Sequence, residues 1–150
     1  MSKLDDGSIL TEGAVILQYI ADQNPNSGLA PKAGAMERYR LQEWLNFIGS
    51  EIHKSFSPLF NKSAPEVYKN IVRDLLIKRL SFIETQLANK PYLMGDNFTV
   101  ADAYLFVVLR WSESVSFNLD QFQNIKDYVA RISLRPSVQA AMKAEGLTVC

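Results

Sequence analysis

Between Ala35 and Phe60 the apolar side chains Tyr39, Leu41, Trp44, Leu45, Phe47, Ile48, Ile52, Phe56 and Leu59 recur mostly at intervals of three and four, the period of an amphipathic helix. A long helix is predicted there, with Pro58 kinking or ending it. A second long helix is predicted after Ser63 as cap and Pro65 in the first turn. It runs to about Asn89 through Val67, Ile71, Leu75, Leu76, Leu80, Ile83 and Leu87. The two should lie antiparallel. "FTVADAYLFVVLRW" is apolar on every face and reads as a buried central helix. Thr99 and Asp102 form its cap pair, threonine to the N–H of Asp102 and carboxylate back to the N–H of Thr99. Phe122, Ile125, Tyr128, Val129 and Ile132 mark another helix from about Leu119 to Leu134, and a short one follows Pro136.

The N-terminal end has a different rhythm. "LDDGS" suits a hairpin or tight loop, and Ser8 to Leu10 is the one stretch that reads as a strand. A helix begins after Thr11 as cap and runs to Gln23, with Val15, Ile16, Tyr19 and Ile20 on one face. "NPNSGLAPKAG" then packs two prolines and two glycines into a junction. The division is therefore residues 1–24, a linker at 25–34, and a helical domain over 35–150. The fold class is all-α.

Composition narrows the functions available. One domain's worth of chain, 150 residues with 47% hydrophobic, suffices for a sizeable core. Sixteen basic residues balance sixteen acidic ones, so no net field draws the protein to nucleic acid or to anionic lipid. No apolar run reaches transmembrane length, and the first residues lack a secretory stretch, which makes the cytoplasm the expected location. Cys150 and His53 are the only residues of their kinds, and with them far apart in the chain a metal site built from protein ligands alone is not expected.

Two clusters carry candidate chemistry. Glu12 and Gly13 stand at a helix start, where alanine or leucine would serve helix stability better than glycine. The amides of Gly13 and Ala14 are placed to hold a carboxylate while the Glu12 side chain takes an ammonium group, and an amino-acid head group offers both. The alternative is an acidic residue favourably set in a first turn. Asn46, Gly49, Ser50, His53 and Ser57 form a small, polar stripe along a helix whose other face is apolar. A neutral His53 imidazole there can donate to a thiolate or carry its proton, and Lys54 adds charge that favours an anion. A solvated helix face with an incidental histidine is the other interpretation. Trp111, in the most apolar helix, reads by itself as core filling.

In order and spacing, "LDDGSILTEGAVILQYIAD", "EWLNFIGSEIHKSFSPLF" and "FTVADAYLFVVLRW" resemble the glutathione transferases, the bacterial beta class in particular, over Leu4 to Leu147. The resemblance implies a helical C-terminal domain preceded by the last strand and helix of a thioredoxin-like domain, a remnant lacking the residue that acts on the glutathione sulfur. It further implies that Glu12, Gly13, Asn46, His53 and Lys54 bind glutathione as co-substrate, with His53 in a supporting catalytic role and no other cofactor. Trp111 would face a hydrophobic electrophile, while Thr99 and Asp102 are structural. The assembly implied is a homodimer. The resulting expectation is a transferase of weak or no activity alone, or else a non-catalytic binding and dimerisation module.

Overall fold

A short antiparallel hairpin opens the chain, pairing β1 (Ser2–Lys3) with β2 (Ile9–Leu10) in the register Ser2 to Leu10 and Lys3 to Ile9. In the computed structural model, which describes residues 1–147, the turn is closed by Leu4 N–H to the Ser8 carbonyl at 2.9 Å and by Gly7 at φ 85°. Asp6 accepts both the amide and the hydroxyl of Ser8, at 2.8 and 2.6 Å. One strand was expected in this region; there are two, because the Asp-Asp-Gly turn returns the chain onto Ser2 and Lys3. Cys150 lies outside the described residues.

Seven α-helices follow among the described residues: α1 (Gly13–Gln23), α2 (Met36–Phe47), α3 (Lys54–Phe60), α4 (Glu66–Leu87), α5 (Val100–Ser114), α6 (Gln123–Ser133) and α7 (Pro136–Ala144). A 3₁₀ turn at Pro25–Ser27 lies within the junction after α1. The core is built by α2 to α6, with Leu41, Ile52, Leu76, Leu105 and Ile125 among its fully buried side chains. Each such side chain contributes about 1.5–3 kcal/mol of burial free energy.

The apolar pattern located every helix but misplaced some faces. Of the expected α1 face, Val15, Tyr19 and Ile20 are exposed and Ile16 is half-buried; Ala14, Leu17 and the buried Ala21 pack against the core, and α1 contacts α5. Small side chains there allow the helix to approach closely. Polar ties hold that rotation: Arg38 of α2 pairs with Asp22 and donates to the Pro31 carbonyl at 2.7 Å, and Gln42 donates to Gln18 at 2.9 Å. On α4, Val67, Ile71 and Leu75 are likewise exposed, while Val72, Leu76, Leu80, Ile83 and Leu87 are buried. Val107 of α5 is also exposed, so that helix is not apolar against protein on every side.

Helix starts differ from expectation for reasons of capping. Pro65, not Ser63, stands at the N-cap of α4, its fixed φ suiting a helix entry; the Ser63 amide instead donates to Asn61 at 2.9 Å. The start of α6 is Gln123 rather than Leu119, and its cap comes from another helix. The Glu84 carboxylate of α4 accepts the amides of Asn124 and Ile125 at 2.8 and 2.9 Å, placing a negative charge on exposed helix-end donors.

The α5 start conforms to the capping reading and extends it. Thr99 and Asp102 form the reciprocal box, and the Asp102 carboxylate, itself buried, also accepts the Leu93 amide at 2.8 Å and the Tyr128 hydroxyl at 3.0 Å. One side chain thereby binds the 90–98 loop, α5 and α6 together. Burial raises its pKa, and the hydrogen bonds from Leu93, Thr99 and Tyr128 oppose that rise.

Candidate functional site

Glu12, rather than Thr11, occupies the N-cap of α1, with φ 65° and ψ 114°. A non-glycine side chain in this sparsely populated region costs about 1–3 kcal/mol and is held there by its surroundings. The Glu12 carbonyl already accepts the amides of Val15 and Ile16 at 3.0 and 2.9 Å. Among the described residues no backbone carbonyl pairs with the amides of Gly13 and Ala14, which leaves two donors at the positive end of the helix. A Cβ built on Gly13 meets nothing within 4 Å, so the glycine borders open space.

The middle of the polar stripe, Gly49, Ser50 and His53, lies on a different kind of helix from the one predicted, while Asn46 belongs to α2 and Ser57 to α3. Ile48–His53 is π-helical, continuous with α2 before it and α3 after it, and the Lys54 amide reaches the Gly49 carbonyl five residues back. Two hydroxyls accept the local irregularity: Ser50 Oγ donates to the Asn46 carbonyl at 2.9 Å, and Ser55 Oγ to the Glu51 carbonyl at 2.6 Å. Such π segments are rare single-turn features inside α-helices and are frequent at functional sites. Pro58 ends up inside α3, which closes two residues later at Phe60.

Tertiary packing brings the helix tip and the stripe to one cleft of about 430 Å³. Its lining includes Glu12, Gly13 and Ala14 on one side and Asn46, Gly49, Ser50, His53, Lys54 and Ser57 on the other. Carboxylate, ammonium, imidazole, amide and hydroxyl groups thus share one opening, a donor and acceptor set suited to a zwitterionic ligand with further polar length.

Tyr104 completes the lining, and it was not singled out from sequence. Its hydroxyl lies 2.8 Å from His53 Nδ1. Burial raises its pKa, with the Glu12 charge adding to the effect. The signal that could have found it is spacing. Tyr104 stands seven residues, or two helical turns, before Trp111, so both share a face of α5.

That shared face meets His53. The Trp111 ring stands edge-on to the imidazole with centroids 4.6 Å apart and planes at 90°, and it also touches the Phe56 and Phe60 rings. Trp111 is not among the residues lining the cleft; it backs the imidazole that does. Trp44 packs on Phe47 and Phe82 away from the cleft. Thr99 and Asp102 stand outside the cleft lining too, as a cap pair should. A second cleft of about 390 Å³ lies between α5 and α6, walled by Phe106, Leu109, Phe117 and Val129, and holds none of the predicted site residues. Among the described residues no group of three or more His, Cys, Asp or Glu is arranged to hold a metal ion, and no helix is long and apolar enough to cross a membrane.

Comparison with known proteins bears on the whole arrangement. Residues 47–136 match the family described as glutathione S-transferase, C-terminal domain. The chain is 46% identical to glutathione S-transferase GstA of Escherichia coli O157:H7 over 144 residues, an alignment spanning 96% of this chain and 72% of that protein. Among solved structures, the ternary complex of the bacterial glutathione transferase BphK superposes with a TM-score of 0.96 at 52% identity, covering 97% of this chain and 73% of the other. A bacterial beta class glutathione S-transferase of Sphingomonas chungbukensis gives 0.94 at 44% identity, covering 98% and 73%. The likeness runs through almost all of this chain, hairpin and α1 included, and through 72–73% of those relatives; it lends the expectation of weak activity no support.

Proposed function

We propose, from the premise that the chain belongs to the glutathione S-transferase family and has beta-class neighbours, that its cleft binds the γ-glutamyl end of glutathione. The Glu12 carboxylate takes the ammonium group, and the amides of Gly13 and Ala14 take the α-carboxylate at the positive end of α1. Asn46 and Lys54 hold the remainder of the tripeptide, and His53 supports the thiolate by donating to it or taking up its proton. Residues 1–24 supply the helix tip, 25–34 the junction and 35–150 the helical wall. The product of the reaction is a thioether between glutathione and a hydrophobic electrophile, which packs near Trp111 in a cytoplasmic homodimer. Rate comes from a stabilised thiolate and from holding two reactants together.

One observation carries this reading. The strained Glu12 tip and the polar stripe centred on the π-helical turn, remote in sequence, converge on a single cleft. Titration calorimetry with S-methylglutathione tests it. Glu12→Gln, which keeps the shape but loses the charge, should weaken binding about tenfold, the scale of a charge-assisted hydrogen bond. Equal affinity in both proteins would overturn the assignment.

The second reading, a dimerisation module, draws on a separate observation: Ile9, Val15, Tyr19 and Ile20 are all exposed on the hairpin and α1. Apolar side chains gathered on two adjoining elements favour self-association. Light scattering beside calorimetry separates the two: a dimer that binds no S-methylglutathione favours this second reading, and a monomer at all concentrations speaks against it.

A further inference from the structure

We propose that Tyr104 is a positioning residue for His53: its hydroxyl donates to Nδ1 and so holds the imidazole in the tautomer with its proton on Nε2. The ligand consequence rests on the glutathione reading above; the tautomer does not.

Direction follows from chemistry as well as distance. The two atoms are 2.8 Å apart, a full hydrogen bond, and His53 is the partner of that hydroxyl among the described residues. A phenol is a far stronger acid than a neutral imidazole N–H, and an imidazole nitrogen a far stronger acceptor than a phenol oxygen. The shared proton therefore stays on Tyr104. Burial and the neighbouring Glu12 charge both keep the phenol protonated, which supports the same direction.

The surroundings remove the freedom that would make the bond incidental. Trp111 fixes the imidazole plane edge-on with centroids 4.6 Å apart, and a ring flip within that plane would carry Nδ1 away from the hydroxyl and break the 2.8 Å bond. Gly49 leaves the helix surface beside the hydroxyl bare: a Cβ there would come within 3.5 Å of the Tyr104 oxygen, an ordinary contact. With Nδ1 occupied, the imidazole meets a ligand in the cleft through one defined donor, Nε2–H, instead of through a mixture of donor and acceptor.

His53 is the chain's only histidine, so the two-bond proton–nitrogen spectrum of the tag-free protein reads its tautomer without assignment. The expected wild-type spectrum has the proton on Nε2 and Nδ1 as acceptor. Tyr104→Phe, lacking one oxygen atom, should show a mixture of tautomers with Nδ1 shifted to the position of a free acceptor. A wild-type proton on Nδ1, or the same spectrum in both proteins, would overturn the proposal. Thermal unfolding checks that the variant folds; if it does not, the wild-type spectrum alone decides. S-methylglutathione binding then reads the consequence: about a three- to tenfold loss in Tyr104→Phe, and no further loss when Tyr104→Phe is added to His53→Ala. Equal losses in both backgrounds would mean that Tyr104 acts on the ligand directly, and would sink the positioning role. A wild-type chain that binds no S-methylglutathione overturns the functional reading, while the spectrum still decides the tautomer.

Discussion

The Tyr128 hydroxyl donates to the Asp102 carboxylate at 3.0 Å, and both side chains are fully buried. A residue of α6 thus completes the cap of α5. The same carboxylate accepts the amides of Leu93 and Thr99 and the Thr99 hydroxyl, so a single side chain satisfies four donors.

Asp102→Ala should therefore destabilise the fold by at least about 3 kcal/mol, because several buried donors lose their acceptor at once. Urea unfolding followed by circular dichroism measures this. S-methylglutathione affinity of the folded fraction should not change, since Asp102 lies outside the cleft lining.

Asp102 and Asp22 should respond to pH with opposite signs. Burial raises Asp102 in the folded state, so its contribution is complete below the unfolded carboxylate value of about 4 and fades as pH rises through the raised value. The Arg38 hydrogen bonds lower Asp22, so its contribution is present above about 4 and is lost as pH falls through the lowered value. Denaturation of Asp102→Asn and Asp22→Asn across this range should each remove one of these slopes from the wild-type curve.

Arg38→Ala should loosen α1 more than the rest of the molecule. The buried guanidinium pairs with Asp22 and the Pro31 carbonyl, and its loss leaves both without that partner. A local cost of about 1–3 kcal/mol corresponds to a fall of about five- to 150-fold in hydrogen-exchange protection of the α1 amides. Amides of α4 should keep theirs.

Gly13→Ala should raise thermal stability slightly, by about 0.5–1 kcal/mol, because the added Cβ meets no atom within 4 Å and the unfolded chain loses freedom. A lower melting temperature would show that the protein itself, and not space for a ligand, requires glycine at this position.

Helix by helix, the legible part was the local part. Period and punctuation located the helices of the 35–60 and 66–87 stretches and the Thr99–Asp102 cap, because these depend on neighbours within one or two turns. The faces of α1 and α4 were misread where exposed Val15, Ile20, Val67 and Ile71 imitate a core stripe. Hydrophobicity states what a side chain favours, not which partner it finds. The π-helical turn at Ile48–His53 left only a faint local trace in Gly49 and Ser50. Tyr104 was hidden in an apolar run because its role depends on a histidine 51 positions away.

By itself the sequence determined the helical class, the order of elements and the residue types at the helix tip and along the stripe, since short-range periodicity, capping and turn chemistry are written within a few residues. Only the tertiary structure decided that Glu12 and His53 border one cleft, that Tyr104 and Trp111 contact the imidazole, and that α1 faces the bundle through Ala14, Leu17 and Ala21. Those relations join residues far apart in the chain, and they arise from how close-packed helices settle against one another rather than from any local preference.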